Sequence, residues 1–228
     1  IIDSGEELNE RFTIRYAKKH DQMGKVVEML QKADLPIQDI KVTERKYTES
    51  DLKSFGIPDD MMKELSENLV DMKIFTIHDT PYGPVQFPLD AESDGTQKFL
   101  SLIGPIIDTE DHEGVIVIDE LERSLHPILV REIIERFRNT SCSCQLIFTT
   151  HNTQLLSDHI FRKDQIWITD KDKKTGIGTL NSLNDFSDIR DSWDIGKAYL
   201  QGRFGGIPFV NFSSAVKSCD NQEIENNE

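Results

Sequence analysis

The sequence predicts an α/β protein whose central strands run parallel. Two observations carry that prediction. The first is Val115-Ile-Val-Ile118, an apolar run without polar alternation that stops abruptly at Asp119 and Glu120. Such a run suits a strand covered on both faces, as in a parallel sheet. The second is another apolar run, Gln145-Leu-Ile-Phe148, which leads through Thr149 and Thr150 to His151. Between the two, Leu125, Leu129, Ile133 and Phe137 recur at helical spacing and are expected to pack on the sheet. Pro127 stands near the first turn of that helix, where its missing N–H costs nothing.

The other elements follow in chain order. Ser4-Gly-Glu-Glu7 has the spacing of a capping box and predicts a helix start. Met23, Val26, Val27 and Leu30 form a helical stripe within 21–30, and Ile37 to Thr43 reads as a short strand. A second helix is expected over 59–70, after Pro58. Met72 to Asp79 alternates, Pro81-Tyr-Gly-Pro84 turns, and Val85 to Pro88 returns, which predicts a β-hairpin with His78 facing solvent. Leu89 to Thr96 then leads into a helix from Gln97 to about Ile107. Beyond His151, residues 152–157 begin a helix, Gln165 to Thr169 is a strand, and Gly178 to Ser182 returns antiparallel after the charged turn 170–176. Phe186 onward is less regular, and the polar, acidic residues 218–228 are expected to be disordered.

Composition narrows the function. The net charge is -15, from 41 acidic against 26 basic residues. An acidic surface repels a phosphate backbone, so nucleic acid is not expected to bind through this part. The apolar runs are too short to span a membrane. Of three cysteines, Cys142 and Cys144 form a C-x-C pair without the companion ligands of a zinc site, and the odd count fits a reducing cytoplasm.

The chemistry concentrates where the first apolar run ends. Open α/β sheets bind ligands beyond the carboxyl ends of their strands. Two adjacent carboxylates there suit metal-assisted phosphate chemistry: one can hold Mg²⁺, the other can orient a water. Upstream, Ser93 offers a hydroxyl, Gly95 permits close backbone approach, and the helix start presents free N–H groups to an anion. Strand, carboxylate pair, helix, strand, histidine is the order of the second half of a nucleotide-binding α/β core.

With those segments in view, the chain resembles ATP-binding-cassette-type ATPases, in the branch with the SMC, RecF and overcoming-lysogenization-defect proteins. Val115 to Glu120 resembles the Walker B strand, Ser93-Asp-Gly-Thr-Gln97 the signature motif, Ser124-Leu-His126 the D-loop, and Thr150-His-Asn152 the switch-histidine loop. Segments 33–42 and 199–209 resemble bacterial AAA-family ATPases of the abortive-infection and RloA type. The resemblance implies a P-loop NTPase core over 72–217, carrying the signature, Walker B, D-loop and switch histidine. It implies a mixed helical and β segment over 1–71, acting as an insertion or lid.

The resemblance also implies roles. Asp119 would hold Mg²⁺. Glu120 and His151 would be catalytic. Ser93, Gly95, Thr96, Gln97, Ser124 and His126 would contact ATP, across the interface of a homodimer or higher oligomer of ATP-sandwiched heads. The implied function is an ATP-driven switch in anti-phage defence that controls a separately encoded nuclease or toxin. A DNA-maintenance ATPase and a non-hydrolysing ATP-sensing scaffold are the alternatives. Two departures stand out: Asp94 replaces the first signature glycine and is expected to face solvent, and Glu122-Arg123 is bulkier than usual. No Gly-x-x-x-x-Gly-Lys-Ser/Thr phosphate loop occurs. The chain is therefore expected to be the carboxyl-terminal portion of a longer ATPase, inactive alone.

Overall fold

The structure is a computed structural model that describes residues 9–58, 70–157, 160–186, 189 and 193–208. The expected capping box at Ser4, the helix over 59–70 save its last residue, and the acidic tail lie outside the described residues. The chain divides into two compact units, 1–151 and 152–228.

The first unit opens with α1 (Glu10–Lys19) and α2 (Met23–Lys32). Asn9 caps α1 by accepting from the Phe12 N–H. β1 (Ile37–Lys46), β2 (Val70–Thr80) and β3 (Gly83–Pro88) make an antiparallel sheet in that order. The short α3 (Glu49–Ser54) lies between β1 and β2, and Thr48 and Asp51 close its capping box. The predicted hairpin is therefore present, with β1 added along β2. The expected boundary at 71/72 falls inside β2.

The long helix α4 (Asp94–Asp111) forms the core of this unit. Phe99, Leu100, Leu102, Ile103, Ile106 and Ile107 are each at most 3% exposed. The helix starts three residues earlier than Gln97, because Ser93 caps it by accepting from the Thr96 N–H. Pro105 sits within it and cannot donate the bond that Ser101 would otherwise receive. Thr13 of α1, fully buried, reaches into that stretch: its hydroxyl donates to the Leu100 carbonyl at 2.7 Å and accepts from the Gly104 N–H at 3.0 Å. A β-carbon on Gly104 would lie 2.5 Å from the Thr13 Cα, so glycine permits the approach of the two helices.

β4 (Val115–Ile118) and β5 (Gln145–Phe148) pair in parallel, Ile118 opposite Phe148, with α5 (Pro127–Asn139) as the crossover. The parallel prediction holds, but the expectation that β4 is covered on both faces does not. Ile116 and Ile118 are buried, whereas Val117 is 58% and Ile147 of the neighbouring strand 47% exposed. On α5 the buried positions are Val130, Ile133 and Ile134, with Leu129 and Phe137 only half-buried, so the stripe is rotated from the expected one. Cys142 and Cys144, in the α5–β5 connection, are joined by a disulfide. That departs from the reduced state expected of a reducing compartment.

The second unit holds α6 (Gln154–Ser157), the antiparallel pair β6 (Trp167–Lys171) and β7 (Gly178–Ser182), and α7 (Ile195–Leu200). Its core is Ile168, Leu183, Ile195, Ala198 and Phe204. Asp194 caps α7 and also accepts from the Ser157 hydroxyl at 2.7 Å, tying α6 to α7. The Gly202–Gly206 stretch is a turn packed on β6: a β-carbon on Gly206 would come within 2.8 Å of the Thr169 carbonyl. Among the described residues no helix is long and apolar enough to cross a membrane.

Candidate functional site

Parallel pairing puts the carboxyl ends of β4 and β5 side by side, so the turns that follow them must meet. Thr149 knits them together. Its N–H donates to the Ile118 carbonyl at 3.0 Å, and its carbonyl accepts from the Leu121 N–H at 3.1 Å. Its hydroxyl donates to Asp119 Oδ1 at 2.5 Å and accepts from the Glu120 N–H at 2.8 Å. Glu120 is held at φ +48°, a conformation that side chains other than glycine rarely adopt. Such strain persists only where surrounding bonds enforce it, and it clusters at functional sites.

These bonds bring the two predicted catalytic residues together. His151 Nε2 lies 3.8 Å from Glu120 Oε1, although 31 positions separate them. The His151 side chain is 87% exposed and that of Glu120 46%, so both face open solvent at the strand ends. Behind them stands Glu122. Its Oε1 accepts from the His151 N–H at 2.6 Å, and its Oε2 is shut off from solvent. Burial alone would raise the Glu122 carboxyl. Hydrogen bonds from the His151 N–H and the Thr150 hydroxyl outweigh it, and the group lies below its ordinary value.

The signature-like and D-loop-like segments also meet. Gly95 packs against the turn after β4 so closely that a β-carbon would stand 2.8 Å from the Ser124 carbonyl. Ser124 is held at φ +61°. Ser93, Asp94 and Ser124 are exposed there, as expected for Asp94. Lys98, one turn along α4, has its ammonium pushed below its ordinary value, first by burial and then by the charge of Arg123. Two cations thus share a patch on a strongly acidic chain.

Other predicted contacts bond within the chain, Thr96 buried, Gln97 half-buried and His126 exposed. Thr96 is 4% exposed, with its hydroxyl 2.9 Å from that of Ser93, and it completes the cap. Gln97 donates through Nε2 to the Glu92 carbonyl at 2.9 Å. His126 caps α5, its Nδ1 3.3 Å from the Ile128 N–H. His78 does not face solvent. Its side chain is 18% exposed, with Nε2 2.6 Å from Glu92 Oε1, and Thr76 donates to the same oxygen. The hairpin is thereby fastened to the residue just before Ser93.

Among the described residues no group of three or more His, Cys, Asp or Glu side chains is arranged to hold a metal. Mg²⁺ keeps most of its water and needs only one or two carboxylates beside substrate phosphates. Asp119, exposed and braced through one oxygen by Thr149, suits that part.

A sequence family described as "AAA domain, putative AbiEii toxin, Type IV TA system" matches residues 8–157, which include every residue of this site. The chain belongs to that AAA family. Its core is therefore that of a P-loop NTPase, and the mixed helices and open sheets agree with it. A curated relative, the "Retron Ec83 probable ATPase" of Escherichia coli, is 33% identical over 76 residues. The alignment takes in 33% of this chain and only 14% of that protein.

Two residues of the AAA domain's site escape sequence reasoning. Thr149 reads as the end of an apolar run, and Glu122 as an unexplained charge. The signal for both is the parallel register. Once Ile118 faces Phe148, the residues immediately beyond must bond across the gap.

Proposed function

We propose that this AAA domain carries the catalytic face of an ATP-hydrolysing head that dimerises on ATP. The head acts as a switch in bacterial anti-phage defence and controls a separately encoded effector. The observation that supports the chemistry best is the convergence of Glu120 and His151 beside Asp119, braced by Thr149. The family description and the retron relative support the defence setting.

In this reading Asp119 holds Mg²⁺, which neutralises charge on the phosphates when bound. Glu120 orients the attacking water and accepts its proton. The exposed His151 side chain reaches toward the terminal phosphate and responds to its loss. The surface formed by Ser93, Gly95 and Ser124 faces the partner's nucleotide, with Lys98 and Arg123 countering its negative charge. ATP then holds two heads together, and the free energy of gripping its terminal phosphate becomes a choice between joined and separate states.

The test is light scattering of the full-length protein with and without ATP and Mg²⁺, as wild type and as Glu120→Gln. The expected result is a nucleotide-dependent larger species that the variant traps, with turnover lower by roughly 10²–10⁴-fold, the usual worth of a positioned acid or base. If neither ATP nor the substitution changes size or turnover, the hydrolytic switch is wrong and a scaffold takes its place.

A further inference from the structure

Glu122 is the charged residue of the turn after β4 that the reading above leaves without a task. It neither faces solvent freely nor pairs with a cation among the described residues. Instead Oε1 takes the His151 backbone N–H at 2.6 Å. The Thr150 hydroxyl bonds to the same carboxylate and helps to keep it ionised. A short bond from a backbone N–H to a charged oxygen is among the stronger hydrogen bonds a protein makes. It fixes the main chain at the residue whose side chain stands 3.8 Å from Glu120 Oε1. Thr149 fixes the other half of the arrangement, through the Glu120 N–H. Among the bonds that join the two turns, these two act directly on the backbone N–H groups of Glu120 and His151, and the one to Glu122 is charge-assisted.

The second oxygen strengthens the case. Oε2 of Glu122 is buried and has no hydrogen-bond partner among the described residues. A buried acceptor left without a donor is costly. Here the cost is borne where it holds the histidine loop.

We propose that Glu122 is the positioning residue for His151: its carboxylate holds the backbone of the histidine loop so that the imidazole stands against Glu120 and the terminal phosphate. The proposal rests on the ATP-hydrolysing reading, and it assigns Glu122 no contact with nucleotide or metal.

The test compares Glu122→Gln with Glu122→Met in the full-length protein. Glutamine keeps an acceptor for the His151 N–H without the charge. Methionine fills the same space and accepts nothing. Expected are a kcat for ATP within about threefold of wild type for glutamine and at least tenfold lower for methionine, with KM within about threefold in both. A purely structural role would instead lower the unfolding temperature of the methionine variant and leave kcat per folded molecule intact. Equal turnover in wild type and methionine variant overturns the proposal, as does an equal fall in both variants. Should the methionine variant not fold, Glu122→Ala gives the same reading. Glu120→Gln, measured alongside, separates the two ideas. If it leaves turnover unchanged, the hydrolytic reading fails; if it abolishes turnover while Glu122→Met does not, only the positioning role fails.

Discussion

At the scale of single residues, the site is a set of short polar bonds across two turns, and each has a predictable worth. Thr149 gives one hydroxyl to two partners, Asp119 Oδ1 and the Glu120 N–H. Thr149→Val keeps the shape and deletes both bonds. Because Thr149 and Asp119 are exposed, water can replace what is lost, and unfolding free energy should change by no more than about 1 kcal/mol. Turnover of the full-length protein should fall at least tenfold, since Glu120 loses the bond that holds its strained backbone. Denaturant unfolding beside steady-state kinetics checks both halves. Loss of stability without loss of turnover would mean that Thr149 serves the fold only. Glu122 allows a separate prediction in acid. Its folded value is lowered from 4.5, so its ionised form stabilises the fold above the unfolded value, and that contribution disappears as pH falls below it. The wild type should lose more stability than Glu122→Gln between about pH 5 and pH 3, and the two should fall in parallel above pH 6. Unfolding midpoints across that range measure the difference.

At the scale of elements, α4 positions the signature-like turn, and distant contacts hold α4. The Thr13 hydroxyl stands between Leu100 and Gly104, one residue before the Pro105 that lacks a donor, and Gly104 leaves no room for a β-carbon. Gly104→Ala would normally favour a helix, yet here it should cost about 1–3 kcal/mol by forcing α1 away. Thr13→Val should cost about 1–3 kcal/mol by leaving a buried donor and acceptor without their mutual partner. Thermal unfolding checks both; a gain in stability from Gly104→Ala would show that α1 yields at no cost. The same helix shows what a sequence discloses. Its apolar residues and the Ser93 cap are local signals, read within one or two turns. The Thr13 contact spans 87 positions and has no local signature, and the glycine it requires looks like a helix-weakening residue. His78 was misplaced for the same reason. Strict alternation along β2 puts it on an outer face, but Glu92 folds back over that face and takes the imidazole. The carboxylate pair and histidine were legible because each ends an apolar run. What bonds to them was not, because Thr149 and Glu122 acquire partners only through the parallel register.

At the scale of the whole chain, the most consequential departure from the sequence reading is the face that β4 and β5 leave to water. Parallel strands are normally covered on both faces, and the apolar composition of β4 reflects that. Yet only the face carrying Ile116 and Ile118, each 1% exposed, is packed among the described residues, while Val117 and Ile147 are about half in solvent. Val117 and Ile147 are paired across the two strands, so their apolar side chains adjoin in water. Side chains already half in water contribute little to stability when replaced. Val117→Thr combined with Ile147→Thr should therefore shift the unfolding free energy of this 228-residue chain by no more than about 1 kcal/mol. Ile116→Ala, on the covered face, should cost about 2–5 kcal/mol. The chain should also bind an apolar fluorescent dye, and the double threonine variant should bind distinctly less, because the substitutions alter the surface and spare the core. If the double variant instead destabilises the chain as much as Ile116→Ala, both faces of the strand pair are packed in solution. The uninterrupted run from Val115 to Ile118 would then have reported its surroundings correctly.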